Sequence, residues 1–340
     1  SDRPFSPYNF TDFTLGYLLN LIALFGLIFP LVYYSLLRIK ITDTFNRSLL
    51  YIVYGFILFF FLTSFGRRVQ TQWLIVISVP LVIITFNYMM DHQKIRQWIF
   101  RLGLANIVIL LFLRIWLLTG SVLPIPFETH FNKTWAEIVK AEVGDMPVVF
   151  ENSYGNAATY SFYSGNAAYS LNNAHYRLNQ YSIDDSEKAV QHKRILYVSR
   201  YLRDGDLTFI GPKGKEYKGK YMDDFESFRK LDCIIQDKSI SIKDSSTLIL
   251  KVYNPYPMDI DLKKLKFGAA FLSPYKRVTE IAMITPMPLN TKLEHLSSKD
   301  TTMFRVRLPR PKMEGAAYMR FGISENGLPY GYNGKNIKLD

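Results

Sequence analysis

The sequence predicts a membrane-anchored protein of mixed class: an α-helical transmembrane bundle of four spans, a small α/β unit, and a carboxy-terminal antiparallel β-sandwich. Three observations predict it. Residues 1–120 are dominated by Leu, Ile, Phe and Val, whereas 125–340 have the composition of an ordinary folded polar domain. Four apolar stretches in the first part approach the roughly 20 residues that a helix needs to cross a bilayer core about 30 Å thick. The second part changes period, alternating helix-like and strand-like segments before becoming almost wholly strand-like.

The four stretches are 13–37, 49–65, 73–90 and 102–119, which make 1–120 a transmembrane region. The first carries Gly16, Gly26 and Pro30, residues that membrane helices tolerate better than soluble ones. The third is interrupted only by Ser78, Pro80, Thr85 and Asn87. One such run can be a buried soluble helix; four in succession point to a bilayer. The loop 38–48 carries Arg38, Lys40 and Arg47 against Asp43, and the loop 91–101 carries Lys94, Arg96 and Arg101 against Asp91. Both lie on one side, which the positive-inside tendency makes cytoplasmic. The 66–72 loop and everything after 120 then fall on the outer, extracytoplasmic face of a bacterial inner membrane. The chain opens on Ser1 rather than Met and shows no charged-apolar-small leader, so it reads as the carboxy-terminal piece of a longer protein.

In HFNKTWAEIVKAEV (130–143), Trp135, Ile138, Val139 and Glu142 fall at helical spacing behind a capping Asn132. The chain turns at Gly144-Asp145 into a strand, PVVFEN. SYGNAATYSFYSG (153–165) predicts a second helix closing on Gly165, AYSLNN and KRILYVSR further strands, and DDSEKAVQ a helix between them. That alternation defines an α/β domain over 125–215. After Gly211-Pro212, SFRKLDCIIQ, STLILKVYNP, RVTEIAMITP, TMFRVRLP and AAYMRFGIS are separated by Pro, Gly, Asn and Ser clusters. Strands at such spacing predict a β-sandwich over 225–340.

The net charge is +12, but the basic residues are scattered rather than blocked into one tract. Anionic lipid or lipid-phosphate is therefore the expected partner, not nucleic acid. Cys233 is the sole cysteine, which excludes an intrachain disulfide and a cysteine-rich metal site. P-loop, GxGxxG, GxSxG and HExxH patterns are absent. His92, His130, His175, His192 and His295 are too dispersed to nominate a metal site, and the pairs Asp184-Asp185 and Asp223-Asp224 read as caps or solvated turns. No cofactor is identified, and divalent-metal use is left open.

Arg67 and Arg68, in SFGRRVQTQWLIVISVP, stand on the outer face against the charge rule. One reading is snorkelling to headgroups beside an ordinary interfacial Trp73. The sharper reading is an anion site: guanidinium forks bind phosphate oxygens bidentately, and Gln72 and Trp73 add neutral donors. Arg114, within the fourth span, is a further candidate, because a charge at that depth is costly; its stem is also long enough to snorkel to the outer interface, an equal reading. In the polar half, LNNAHYRLNQY (171–181), with Tyr154, Tyr160 and Tyr163 nearby, offers Tyr163, Arg177, Asn179 and Gln180 to sugar hydroxyls. The plainer reading is an edge loop whose amides satisfy local backbone groups.

SFGRRVQTQWLIVISVPLVII resembles a segment of bacterial glycosyltransferases of the protein O-mannosyltransferase / aminoarabinose transferase type. There, a basic outer loop runs through His-Trp-Pro or similar into a late transmembrane helix. MPVVFENSYGNAATYSFYSG and YRLNQYSI resemble their extracytoplasmic tail, and RPFSPYNFTDFTLGYLLNLIALFGLIFP the approach to a later span. The resemblance covers most of 1–200. It implies a multi-span transferase taking sugar from a polyprenyl-phosphate carrier at the outer face, with an acceptor that is lipid, protein or glycan. It also implies a catalytic acidic residue in the first outer loop, upstream of this chain; no residue here matches that motif. Position 72 is Gln where many relatives have His, and Ile75 stands where Pro is common. On this reading Arg67, Arg68, Gln72, Trp73 and Arg114 hold the lipid phosphate. Two rivals are a non-enzymatic membrane-anchored module binding glycan or protein and a structural subunit of an envelope assembly.

Overall fold

The computed structural model describes residues 8–40, 43–120, 123–125, 127, 129–211, 214–236, 239–240, 247–290, 293–313 and 315–339. The chain divides into two compact units, Ser1–Phe127 and Glu128–Asp340.

The first unit is helical: α1 (Thr11–Ala23), α2 (Gly26–Arg38), α3 (Thr44–Thr63), α4 (Thr71–Met90) and α5 (Gln93–Thr119). Helices α3, α4 and α5 are each long and apolar enough to cross a membrane. Leu49, Leu50 and Val53 of α3 pack with Ile77, Leu81 and Ile84 of α4 and with Val32 and Leu36 of α2. Helix α5 has no fully buried residue, and Phe100, Leu104, Ile107, Leu110, Leu111 and Phe112 along it are exposed. It begins at Gln93, so Lys94, Arg96 and Arg101 sit on the helix and not in a loop.

The stretch expected as one span over 13–37 is instead a pair of helices bent by 96°. Gly26 takes φ +55°, a left-handed conformation that glycine adopts without a Cβ penalty. A Cβ there would lie 2.3 Å from the Asn106 side chain. Asn106 Oδ1 in turn accepts the Leu27 N–H at 3.4 Å, partnering one of the backbone groups that a helix break exposes.

In the second unit, α6 (Asn132–Val143), β1 (Val148–Glu151), α7 (Tyr154–Ser164), β2 (Ala168–Leu171) and β3 (Lys193–Ser199) follow the expected alternation. With β4 (Leu207–Ile210) and β5 (Glu216–Phe225) they build a five-stranded sheet ordered β2-β1-β3-β5-β4, parallel across its first three strands. Trp135 and Val139 of α6 and Ala157 and Tyr160 of α7 cover Val148, Phe150, Leu196 and Val198 on one face. Gly165 ends α7 at φ +75°. Two details differ from expectation. Asn132 is the first residue of α6 and not its cap, because Phe131 enters the helix at φ +68° with no side-chain cap bond. The helix expected over DDSEKAVQ shrinks to the turn Ser186–Ala189, where Asp184 Oδ1 captures the Ser186 N–H at 3.0 Å and Glu187 turns inward.

The rest of the chain is β-rich: β6 (Asp232–Ile234), β7 (Ser239–Ile240), β8 (Thr247–Tyr253), β9 (Ile260–Asp261), β10 (Leu265–Leu272), β11 (Val278–Ile284), β12 (Met287–Pro288), β13 (His295–Leu296), β14 (Thr301–Arg307), β15 (Tyr318–Glu325) and β16 (Ile337–Leu339). They form sheets ordered β11-β10-β15-β16-β7 and β12-β14-β8-β6, and a β13-β9 pair. Phe267, Phe271, Met319 and Phe321 of the first share one core with Leu250, Val252, Phe304 and Val306 of the second. The pairing is antiparallel except between β16 and β7, which a long return of the chain brings together in parallel. The central strand β10, LKFGAAFL, lies outside the sequence-predicted set: it is buried on both faces and so lacks the alternation that marks a half-exposed strand.

Phe304, 1% exposed and 5.7 Å from the Phe267 ring, stands at the middle of that core. Phe304→Ala should destabilise the second unit by about 3–5 kcal/mol in a denaturant titration, the usual cost of an unfilled aromatic cavity.

Candidate functional site

Between α3 and α4 the chain makes a turn whose shape follows from one buried residue. Val69, 1% exposed, is plugged among Tyr17, Phe60 and Leu74. That anchor leaves Arg67, Arg68, Gln70 and Gln72 exposed around it. Asn20 of α1 holds the far side: its Nδ2 donates to the Val69 carbonyl at 3.5 Å, and its Oδ1 accepts the Thr71 hydroxyl at 2.9 Å. Helix α3 hands over through Thr63, whose carbonyl accepts the Gly66 and Arg67 N–H groups at 3.0 and 3.1 Å.

Arg67 lies over the Trp73 indole, 5.5 Å from its centroid, and Trp73 stacks on Phe60 at 6.1 Å. A guanidinium resting its face on an indole gains about 0.5–1 kcal/mol at an exposed site and keeps its in-plane N–H groups for an acceptor. Gln72 Nε2 donates to Gln70 Oε1 at 2.6 Å, which leaves the second amide proton and the Gln70 amide group for a ligand. Arg114 is exposed near the end of α5 and makes no hydrogen bond or ion pair among the described residues. Arg67, Gln72 and Trp73 are thus brought together with Arg68 beside them, and Arg114 is not joined to them by any contact. Sequence reasoning missed Asn20 and Thr71, which shape the turn; a lone Asn inside an apolar span was the available signal. It also passed over Asp12, at the α1 end that meets this turn through Thr14 and Ser64 (Oγ1 to Oγ, 3.3 Å).

In the second unit, β2 and β3 lie on opposite sides of β1, all three parallel, and the carboxyl ends of such strands form the crevice where open α/β sheets bind ligands. Glu151 ends β1 there, accepting the Asn173 side-chain amide at 2.8 Å and the Ser199 hydroxyl. Asn173 also donates its backbone N–H to Asn152 Oδ1 at 2.9 Å. Arg177 reaches the same end: its Nη2 donates to the Tyr154 hydroxyl at 2.8 Å.

Of the other residues expected to bind sugar, Gln180 is exposed on the turn Gln180–Ser182. Asn179 is committed to that turn, its Oδ1 accepting the Tyr181 N–H and its Nδ2 donating to Asn172 Oδ1 at 3.3 Å. Tyr163 stands apart. It lies nine residues along α7 from Tyr154, about 14 Å at the helical rise, and packs edge-on against Phe162. The cavity beneath the loop, lined by Tyr169, Asn172, Leu178, Ser182, Arg229 and Tyr332, measures ≈ 10 Å³, room for about one water. That cavity is too small to admit a saccharide.

The loop is fixed from behind by the β-rich region. The Ala174 N–H donates to the Tyr330 carbonyl at 2.6 Å, and its carbonyl accepts Arg320 Nη2. Arg320 lies 3.7 Å over the Tyr332 ring. Alongside runs a buried ionic cluster. Glu187 accepts the Ser227 hydroxyl at 2.7 Å, the Arg229 N–H at 3.0 Å and the Tyr256 hydroxyl at 2.6 Å. Arg229 Nε sits 3.1 Å from Glu325 Oε1, both side chains buried. Burial pushes the Glu325 carboxyl up to about 7, outweighing the opposing pull of the Arg229 guanidinium. No group of three His, Cys, Asp or Glu side chains among the described residues is arranged to hold a metal ion.

No protein-family model matches the chain, and no curated protein matches it. Among solved structures, Pseudomonas fluorescens alkylpurine DNA glycosylase AlkC bound to DNA containing an abasic site analog is similar at 8% identity and a TM-score of 0.22. That match covers 34% of this chain and 31% of the glycosylase chain. A likeness of that size carries no argument about fold or function.

Glu325 binds its proton more tightly folded than unfolded, where its ordinary value is 4.5. Its contribution to stability is thus fully present below pH 4.5 and is lost as pH rises through about 7. Glu325→Gln should flatten the decline in melting temperature of the second unit across that window, measured as a series of thermal melts.

Proposed function

We propose that this chain is the carboxy-terminal part of a membrane glycosyltransferase that moves sugar from a polyprenyl-phosphate carrier to an acceptor at the outer membrane face. On this reading the bent pair α1–α2 counts as one span, giving four, and the paired sheets of the β-rich region form a β-sandwich. From the 64–70 turn, two crossings by α4 and α5 return the chain to the same face, so the unit after Glu128 emerges on it. The positive-inside tendency makes the opposite face, with Arg38, Arg47, Lys94 and Arg96, cytoplasmic.

The observation that carries the proposal is the pair Arg67 and Arg68, exposed on a turn that Val69 and Asn20 hold at the end of two membrane-length helices, with the Trp73 indole under Arg67. Two cations at that level suit the phosphate of a lipid carrier, whose isoprenoid chain the neighbouring apolar helices accommodate. Fixed guanidinium groups also stabilise negative charge as it develops on the departing lipid phosphate. The acceptor hydroxyl needs a base, expected upstream of this chain. Arg177 and Gln180, on the outer surface of the loop, and Tyr154, at the start of α7, supply directed donors for an acceptor.

The test uses the intact protein. Arg67→Ala and Arg68→Ala should each weaken capture of a photoreactive polyprenyl-phosphate sugar roughly tenfold to a hundredfold, the range for charge-assisted hydrogen bonds. Membrane insertion should be unchanged. Full capture and turnover by the double variant would remove this turn from the site.

A further inference from the structure

The outward face of the sheet β12-β14-β8-β6 carries a second feature that the transferase reading does not use. Pairing places Met287 beside Arg305 and Arg305 beside Ile249; one row along, Met303 lies beside Lys251 and Lys251 beside Ile234. Leu289 extends the first strand, its N–H donating to the Met303 carbonyl at 3.1 Å. Met287, Leu289, Met303, Ile249 and Ile234 are between 43% and 65% exposed. Their alternating neighbours Phe304, Leu250 and Val252 point into the core, so this is the second, exposed side of the sheet. An ordinary antiparallel sheet keeps that side polar.

Charge decides the occupant. Arg305, Arg307 and Lys251 stand on this face, and the one carboxylate at its described positions, Asp232, lies opposite Tyr253 on the edge strand. Apolar tips interleaved with long-stemmed cations match the boundary between acyl chains and anionic headgroups: the tips enter the apolar layer, and the cations reach phosphate. Met and Arg are also enriched at protein–protein interfaces, where Lys is depleted; the excess of three cations over one carboxylate is what selects an anionic partner. The same chain carries three helices long and apolar enough to sit in a bilayer.

We infer that this face of the second unit docks on an anionic phospholipid surface, through Met287, Met303 and Ile249 inserted among headgroups that Arg305 and Lys251 neutralise. The inference rests on the chain being membrane-embedded and not on the transferase reading.

The full chain, reconstituted in vesicles of phosphatidylcholine and phosphatidylglycerol in roughly equal amounts, tests it. A polarity-sensitive fluorophore is placed at Met303→Cys and, as a control, at Ile210→Cys, on an exposed position of β4 in the other sheet. Native Cys233 is buried and stays unlabelled. The label at 303 should shift to the blue and be quenched by brominated acyl chains, and the label at 210 should not. Arg305→Glu and Lys251→Glu should each lower the docked-to-free ratio roughly fivefold or more, the factor for about 1 kcal/mol per cation at such a surface. Phosphatidylcholine alone should lower it further. A water-exposed label at 303, equal quenching at 210, or the same blue shift in detergent, which would signal a protein contact, overturns the inference.

Discussion

Helix α5 buries none of its 27 residues against the described chain, yet it is built from Ile, Leu, Val and Phe. Water is a poor solvent for such a surface, at roughly 25 cal/mol for each Å² of apolar area. A bilayer is the solvent that such a helix is long and apolar enough to occupy. Helices α2, α3 and α4 share a small core of their own, and α5 packs on them lightly, touching the break between α1 and α2 through Asn106. In hydrocarbon a bent helix needs partners for its freed backbone groups, and Asn106 supplies one. The same logic places charge. Arg38, Arg67 and Arg68 lie at helix ends and turns, and the stem of Arg67 can run over Trp73 while its guanidinium remains wet.

The second unit is held by a different kind of contact. Two carboxylates, Glu187 and Glu325, converge on the backbone and side chain of Arg229, joining the α/β sheet's connecting turn to the β-rich region. Removing either Arg229 or Glu325 leaves the other buried without its ion-pair partner, and such changes cost more than the intact pair contributes. The consequence for function is positional. The loop 172–182 is pinned by Arg320 and Tyr330 from one region while Glu151 and Asn152 hold it from the other, so Arg177 and Gln180 are presented on a rigid support.

Much of the first unit was legible from residue pattern, because lipid asks only for length and apolarity. The bend at Gly26 was not, since it depends on Asn106, eighty residues away, and proximity of that kind leaves no local mark. The turn shows both sides: Arg67 and Trp73 are near in sequence and meet in space, whereas the Asn20 contacts that shape it are remote. In the α/β region, sequence closeness misled. Tyr163 and Arg177 read as one polar-aromatic cluster, but a three-turn helix separates them. Asn179, read as a sugar ligand, proved a local cap, the role its residue type fills most often at a turn. Strand β10 escaped because burial on both faces erases alternation. Glu187, Arg229 and Glu325 escaped because nothing in a sequence marks which charges will be buried together.

The central claim is that the arginine turn opens on the outer face of the membrane. A cysteine introduced at the exposed Gln70, in a chain whose native thiol is buried, reports this directly. Reaction with a membrane-impermeant maleimide in intact cells, at a rate similar to that of a cysteine at Ile210, is the expected result. Labelling at position 70 only after the membrane is opened would put the turn in the cytoplasm and contradict the claim.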